Sequence, residues 1–464
     1  MNSHRKNIGP VRACLSGEMS ADGLSALVSE SAAPGMADAA PGLAASRRGF
    51  LKISGMALAS QLIPADAYAA KERKGYHTAG FEVASSLYAW ELHDEGIEQI
   101  LDNLQQMAGV NSVYLVALMH YEKRPLTSPT FPHNPVRKTW QAEDSKVYWH
   151  PDLSMYKRIK PELSAFDWLN DTDWLKVLVT AARKRGLKTG AELSHTIMSL
   201  EKGQGEYADC VQRDIHGAAR KVAGRAYPLC PNSVDAQEYT LALFSDLTKN
   251  YDVDFVQTCM IPFMPGGADT GGCFCDSCMK AAQANGIDLA KIKSVLLTNP
   301  ESPAELQQWQ AFRQSSMTHF YKIMHDGVHN IRPNIELRFN DAYEHPERYG
   351  MDLKSLTTVW DSIRNSDYSE QHGDPAYMDH KRQWFAAERA VIGPDYPFIG
   401  GVAVRPKATP DLIHQGVKIS LDAGAVGLSL GHYDGSEFPM LRAIKEELNA
   451  EHIHVPPRLA KKRA

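Results

Sequence analysis

Residues 168–195, WLNDTDWLKVLVTAARKRGLKTGAELSH, contain the unit whose repetition decides the fold. Between Trp168 and Arg185 apolar side chains recur at three- and four-residue spacing, as on a helix with one buried face. Gly186 supplies the stop, and Lys188–His195 then reads as a short apolar strand. The alternation extends from Gly80 to the end of the chain. Strands are expected near Gly80–Ser86, Ser112–Leu118, Lys188–His195, Val253–Ile261, Ile335–Asn340, Thr358–Arg364, Phe398–Val404 and Ala425–Gly431. Helical segments are expected at Glu95–Met107, Trp168–Arg185, Val234–Asn250, Leu306–Ile331, Tyr377–Ala390, Thr409–Ala423 and Glu437–Ala450, with Leu353–Leu356 a short helical turn. This is the α/β class, and the strand count points to a closed (β/α)8 TIM barrel. The rival is an open doubly wound sheet, but no Gly-rich phosphate turn accompanies the first strand, and Gly80-Phe81-Glu82 cannot cradle a pyrophosphate.

The chain has 464 residues, 43% hydrophobic and 23% charged, with a formal net charge of −5. No composition break after Gly80 marks a second domain, and scattered basic residues leave no footprint for nucleic acid. Small molecules or neutral polymers are the expected partners. Ahead of this region, Ser46-Arg47-Arg48-Gly49-Phe50-Leu51-Lys52 resembles a twin-arginine export signal, followed by an apolar stretch Ile53–Ile63 and a small-x-small site, Ala67-Tyr68-Ala69. Residues 1–69 are therefore expected to be a leader and signal peptide, and 70–464 a single TIM-barrel catalytic domain. The expected location is periplasmic or secreted, with the twin-arginine translocase as a partner during export and no membrane attachment after cleavage. No other apolar run approaches the roughly 20 residues that span a bilayer.

In a barrel of this kind the loops after the strands build the site, here His120–Phe166, Thr196–Pro231 and Pro262–Pro303. The first holds Tyr121, Trp140, Tyr148, Trp149 and His150, rings suited either to the apolar faces of sugars or to packing a long loop. The third holds Cys273-Phe274-Cys275-Asp276-Ser277-Cys278, three thiols within six residues. Zinc takes four such ligands tetrahedrally, and Cys230, in Cys230-Pro231-Asn232-Ser233 just before a helix, is the best fourth. Cys259 is the alternative, while a disulfide or free thiols are the readings without metal. Four thiolates leave no open position for water, so the Zn2+ would be structural. Cys210 and Cys259 otherwise read as small buried hydrophobes.

Cys230–Ser233 together with Cys273–Cys278 resembles the zinc site of the glycoside hydrolase family 42 β-galactosidases. That resemblance implies a TIM barrel, a structural zinc on Cys230, Cys273, Cys275 and Cys278, and a saccharide substrate. It also implies a general acid ending the fourth strand and a carboxylate nucleophile ending the seventh. Neither is present: the fourth ends Phe255-Val256-Gln257-Thr258-Cys259, and the seventh reads Ile399-Gly400-Gly401-Val402-Ala403-Val404-Arg405.

Glycoside cleavage needs an acid and a second carboxylate, so the pair is sought at other strand ends. Glu192, inside an apolar strand, Asp341 at the tip of the fifth, and Asp367 and Glu370 after the sixth form the candidate catalytic pool. Glu82, His195, Arg405, His432 and Asp434 are the candidate substrate-binding groups, Arg405 being suited to a uronic acid carboxylate. The expected function is an exported glycoside hydrolase-like enzyme that cleaves a glycosidic bond by carboxylate acid/base chemistry. A sugar lyase or isomerase-epimerase, with Glu192 abstracting a proton, and a non-catalytic saccharide-binding barrel are the alternatives.

Overall fold

The structure, a computed structural model, describes residues 80–119, 131–138, 140, 143, 145–193, 197–221, 226–258, 263–264, 271–341 and 344–457. The leader and signal expected at 1–69, and the candidate residues His195 and Cys259, lie outside the described residues.

Eight parallel strands close a barrel: β1 (Glu82–Leu87), β2 (Ser112–Val116), β3 (Lys188–Leu193), β4 (Phe255–Thr258), β5 (Glu336–Asp341), β6 (Ser362–Asn365), β7 (Phe398–Ala403) and β8 (Gly427–Gly431). Neighbours in sequence are neighbours in the barrel, and β1 pairs with β8 through Glu82↔Gly427 and Val83↔Leu428. The outer layer comprises α1 (Ile97–Asn103), α2 (Trp174–Lys184), α3 (Val234–Asn250), α4 (Pro303–Ile331), α5 (Leu353–Leu356), α6 (Ala376–Ile392), α7 (Pro410–Asp422) and α8 (Phe438–Ala450). This is the expected fold, with strands fully buried on both faces because helices cover the outside. No described helix is long and apolar enough to cross a membrane.

Local chemistry adjusts several boundaries. The segment expected as one helix over Trp168–Arg185 is split, because the Asp173 carboxylate accepts from the Lys176 amide at 2.9 Å and starts α2 afresh. Gly186 ends it at φ +72°. The sixth strand begins four residues later than Thr358, since Asp361 instead accepts from the Leu337 amide at 2.8 Å and clips β5 to the turn below β6. A helix at Ala89–Glu95 follows β1, and the loop after β4 contains two more, Asp276–Ala284 and Leu289–Thr298.

Inside the barrel, alternate residues point to the axis, and at the end where the strands begin these are charged. Lys188 Nζ donates to Glu82 at 2.8 Å and Glu336 at 2.6 Å, while Arg338 reaches Glu82 at 3.1 Å and Glu336 at 3.0 Å. Burial opposes charge on Glu82, but Arg338 and Lys188 outweigh it and hold its carboxyl below the usual value. The same balance raises Lys188, whose burial is overcome by Glu336 and Glu82. Above this set Arg338 lies 4.2 Å from the Phe255 ring centre. Phe255 fills the space a side chain at position 190 would need, a Cβ there meeting the ring at 2.3 Å, so only glycine fits. Tyr114 packs edge-on at 5.8 Å and completes the middle layer.

Candidate functional site

At the opposite end the strands deliver a different set of side chains to the axis. Glu192, the fifth residue of β3, is buried and paired with Arg364 of β6 at 3.2 Å, and Gln257 of β4 donates to the same carboxylate oxygen. Arg364 also donates to the Tyr368 hydroxyl and lies 5.8 Å from the Tyr114 ring. Tyr114 bonds Ser429 of β8 at 3.0 Å. Burial pushes both phenols up, so Tyr114 and Tyr368 stay protonated through the neutral range. The Tyr368 ring crosses the ends of β7 and β8, where a Cβ at Gly401 would meet it at 3.3 Å and one at Gly431 at 2.7 Å. Those two glycines make room for the ring over the mouth.

The far wall is His432, immediately after β8. Its Nδ1 is 2.8 Å from the Ser86 hydroxyl and its Nε2 is 3.4 Å from the Tyr88 hydroxyl. His432 has φ +32°, a conformation that L-residues rarely adopt and that clusters at functional positions. Arg405, two residues beyond β7, is half-buried and close enough for its charge to act on Tyr368. Asp434 is buried in the 3-10 turn Tyr433–Gly435.

Four sequence expectations are corrected by these positions. Glu82 opens β1, so it belongs to the ionic set at the base of the barrel and is remote from the loops after the strands. Asp341 is out of phase with the inward Arg338 and Asn340; it faces the helices, where its charge acts on Tyr321 of α4 and Glu388 of α6. Glu370 is fully buried between β7 and its covering helices. It is paired with Lys381 at 2.5 Å, accepts from the Ala403 amide at 3.0 Å, and fills the space beside Gly416 of α7. Asp367 turns to α6: it accepts from the Ser369 amide at 2.7 Å and sits 3.5 Å from His380. Burial opposes its charge, but His380 and Lys381 hold the Asp367 carboxyl below its usual value. The bond to Asp367 raises His380 to about 9, with Glu344 adding to the effect. Of the four candidate catalytic carboxylates, Glu192 alone faces the barrel axis.

Sequence reading missed Arg364, Gln257, Tyr368, Tyr114 and Ser86. The available signal was period-two alternation: Ser86, Gln257 and Arg364 are polar residues inside apolar strands, in phase with the axis. The described aromatic loop residues are taken up in packing: Tyr148 meets Trp90 edge-on at 6.3 Å and Trp149 Nε1 donates to Asp246 at 3.2 Å, while Tyr121 lies outside the described residues. Trp140 meets Phe166 and Trp168 edge-on at 5.0 and 5.2 Å, and Arg137 stacks on Trp168 at 3.9 Å.

Beside the mouth, Cys230, Cys273, Cys275 and Cys278 bring four buried sulfurs within 4.8 Å of one another. Cys230 lies 3.4 Å from Cys278 and 3.5 Å from Cys275. These separations exceed a disulfide bond of about 2.05 Å. They are near the roughly 3.8 Å edge of a tetrahedron with metal–sulfur bonds of about 2.3 Å. The donor set also fits a metal: the Arg213 amide and the Asn232 side-chain amide approach Cys273 and Cys278 at 3.4 Å, as partners of thiolate charge. The cluster ties the segment before α3 to the loop after β4. A second group, Asp209, Cys210 and Asp235, is filled by Arg158, which reaches the two carboxylates at 2.8 and 2.6 Å.

No family model and no curated protein matches the chain by sequence. Solved structures do match its fold. The glycoside hydrolase domain of PgaB (BpsB) from Bordetella bronchiseptica is 18% identical with a TM-score of 0.55, over 80% of this chain and 97% of that one. A β-galactosidase from the haloarchaeon Halorubrum lacusprofundi is 13% identical with a TM-score of 0.54, over 80% of this chain and 58% of that one. The α-L-fucosidase isoenzyme 2 from Paenibacillus thiaminolyticus is 14% identical with a TM-score of 0.53, over 80% of this chain and 50% of that one. The chain thus spans little more than half of the latter two enzymes. It has the closed eight-stranded barrel found in these glycoside hydrolases.

Proposed function

We propose that the protein is an exported glycosidase acting on a saccharide or glycoside at the mouth of the barrel, with Glu192 as its central carboxylate. The observation that carries the reading is Glu192 itself: a buried acid on the axis, where the strands end, held by Arg364 and Gln257. An ion-paired carboxylate of this kind attacks the sugar or activates a water. His432 supplies an imidazole at the mouth, and its positive φ marks it as held there against local preference. In this reading His432 donates a proton to the leaving oxygen as the glycosidic bond breaks and regains one from the attacking water, while Tyr368, Ser86 and Tyr88 orient hydroxyls, with Arg405 and Asp434 beside them. The likeness of the barrel to glycoside hydrolases supports the substrate class.

The four cysteines would hold a zinc ion, which would supply a structural cross-link pinning the loop after β4. Cys230, Cys273, Cys275 and Cys278 each furnish one sulfur. Residues 1–69 are the leader, and export by the twin-arginine route leaves a periplasmic or secreted domain of residues 70–464.

The test is turnover across a panel of aryl glycosides and oligosaccharides, read as released phenol or reducing ends. Wild type is expected to hydrolyse at least one member, and Glu192→Gln to lose about 100-fold or more. Full activity in Glu192→Gln would discard the assignment, and saccharide binding with no turnover across the panel would favour a binding barrel.

A further inference from the structure

A second concavity, of about 280 Å³, opens on the flank of the barrel, lined by Glu95, Gln99, Asn103, His133, Pro135 and Phe438. It lies between α1, the segment 131–138 and the start of α8. Its inner wall is a closed hydrogen-bond ring. Both Glu95 oxygens are 2.9 Å from His133 Nδ1, and the Tyr433 hydroxyl donates to Glu95 at 3.1 Å. Asn103 donates to that hydroxyl at 2.9 Å, and Gln99 Nε2 donates to Asn103 at 3.0 Å. His133 Nε2 faces the Tyr433 carbonyl at 3.1 Å, so both ring nitrogens are engaged within the protein. The Phe438 ring lies parallel to His133, with centres 5.2 Å apart.

We infer that this flank pocket binds a neutral monosaccharide unit, at a site separate from the mouth that contains Glu192. The lining selects that chemistry. Glu95 is the one acidic group in the wall, enclosed by His133 and the Tyr433 hydroxyl, and the lining contains no Lys or Arg to hold an anion. A carboxylate has about four lone-pair positions, so Glu95 keeps capacity for ligand hydroxyls after His133 and Tyr433 are served. Gln99 offers its carbonyl and a second N–H to hydroxyls at the rim, and Phe438 offers an apolar ring face beside them. Converging carboxylate, amide and aromatic ring match a ring-shaped polyol, and the volume suits one such unit. The pocket wall also shares Tyr433 with the turn that follows His432, and none of its lining residues is among those described at the mouth.

The inference does not depend on Glu192 acting in catalysis. It is tested with the whole exported domain carrying Glu192→Gln, by saturation-transfer NMR with D-glucose, D-galactose, L-fucose and N-acetyl-D-glucosamine added singly. At least one sugar is expected to receive saturation. Its affinity should fall about five- to tenfold in Gln99→Leu, the loss of one or two neutral hydrogen bonds, and also in Phe438→Ala, with Arg364→Met leaving it unchanged. Gln99 is exposed, so its replacement keeps the fold. No transfer to any sugar, or binding that is unweakened by both pocket substitutions and lost in Arg364→Met, as for a sugar held only at the mouth, would overturn the inference.

Discussion

The two ends of the barrel interior both bury charge and use it differently. At the base, two carboxylates, Glu82 and Glu336, meet two cations, Lys188 and Arg338, at 2.6–3.1 Å. Phe255 and Arg338 stack above them, and each charged form of Glu82 and Lys188 is favoured by its neighbours. At the mouth, one carboxylate meets one guanidinium, and the groups bonded around this pair are hydroxyls, an amide and an imidazole, with Arg405 and Asp434 farther out. Burial of charge alone therefore does not mark a reactive site. A balanced set closed on itself is a structural plug, whereas a single pair ringed by unreacted donors and acceptors leaves chemistry for a substrate.

The base predicts the largest loss of stability. Lys188→Met leaves Glu82 and Glu336 short of a buried partner and is expected to cost about 3–5 kcal/mol in chemical denaturation, as breaking a buried pair does. A change below 1 kcal/mol, on the order of a surface pair, would show that the plug is not closed. At the mouth, Arg364→Met should cost activity before stability: kcat/KM is expected to fall about 100-fold, and unchanged kinetics would remove Arg364 from the site. The cysteine cluster predicts a smaller, metal-linked effect. Cys275→Ser or prolonged chelation should release about one zinc per chain by elemental analysis and lower the unfolding temperature, while the fraction still folded keeps its kcat. A chain purified without zinc and unaffected by chelator would contradict it.

The smallest expected effect is on pH. His380 is raised from 6.5 to about 9 by Asp367 first and then Glu344, so its protonated form is favoured by the fold. Its contribution is fully present below 6.5 and is lost as pH rises through about 9. NMR titration of the His380 ring should show a midpoint near 9, and Asp367→Asn should return it toward 6.5; an unchanged midpoint would break the link.

The barrel was legible because each helix–strand unit has its own period, and α3 occupies the whole span its apolar spacing indicates, Val234–Asn250. The four-cysteine cluster was legible in part because three of its members come in a short local motif, joined by one distant cysteine. The mouth was harder. Glu192 stood out as an acid in an apolar strand, but Asp341 carries the same signal and faces the helices, because one residue of phase separates the axis from the outer layer; Glu370, in the turn after β6, is turned to Lys381 instead. Arg364 and Tyr368 went unnoticed since their meaning depends on β3 lying across the barrel and on β7 and β8 passing beneath the Tyr368 ring, which no local pattern records. Glu82 was misplaced for a related reason: the direction of the chain through the strand, rather than its composition, decides which end an acid occupies.

The most direct test of the division between plug and mouth is a paired measurement of kcat/KM and unfolding free energy on Glu192→Gln and Glu336→Gln. Glu192→Gln should lose turnover while retaining most of its stability. Glu336→Gln should lose stability while the folded fraction turns over normally. The reverse pattern, or the same pattern in both, would contradict the account.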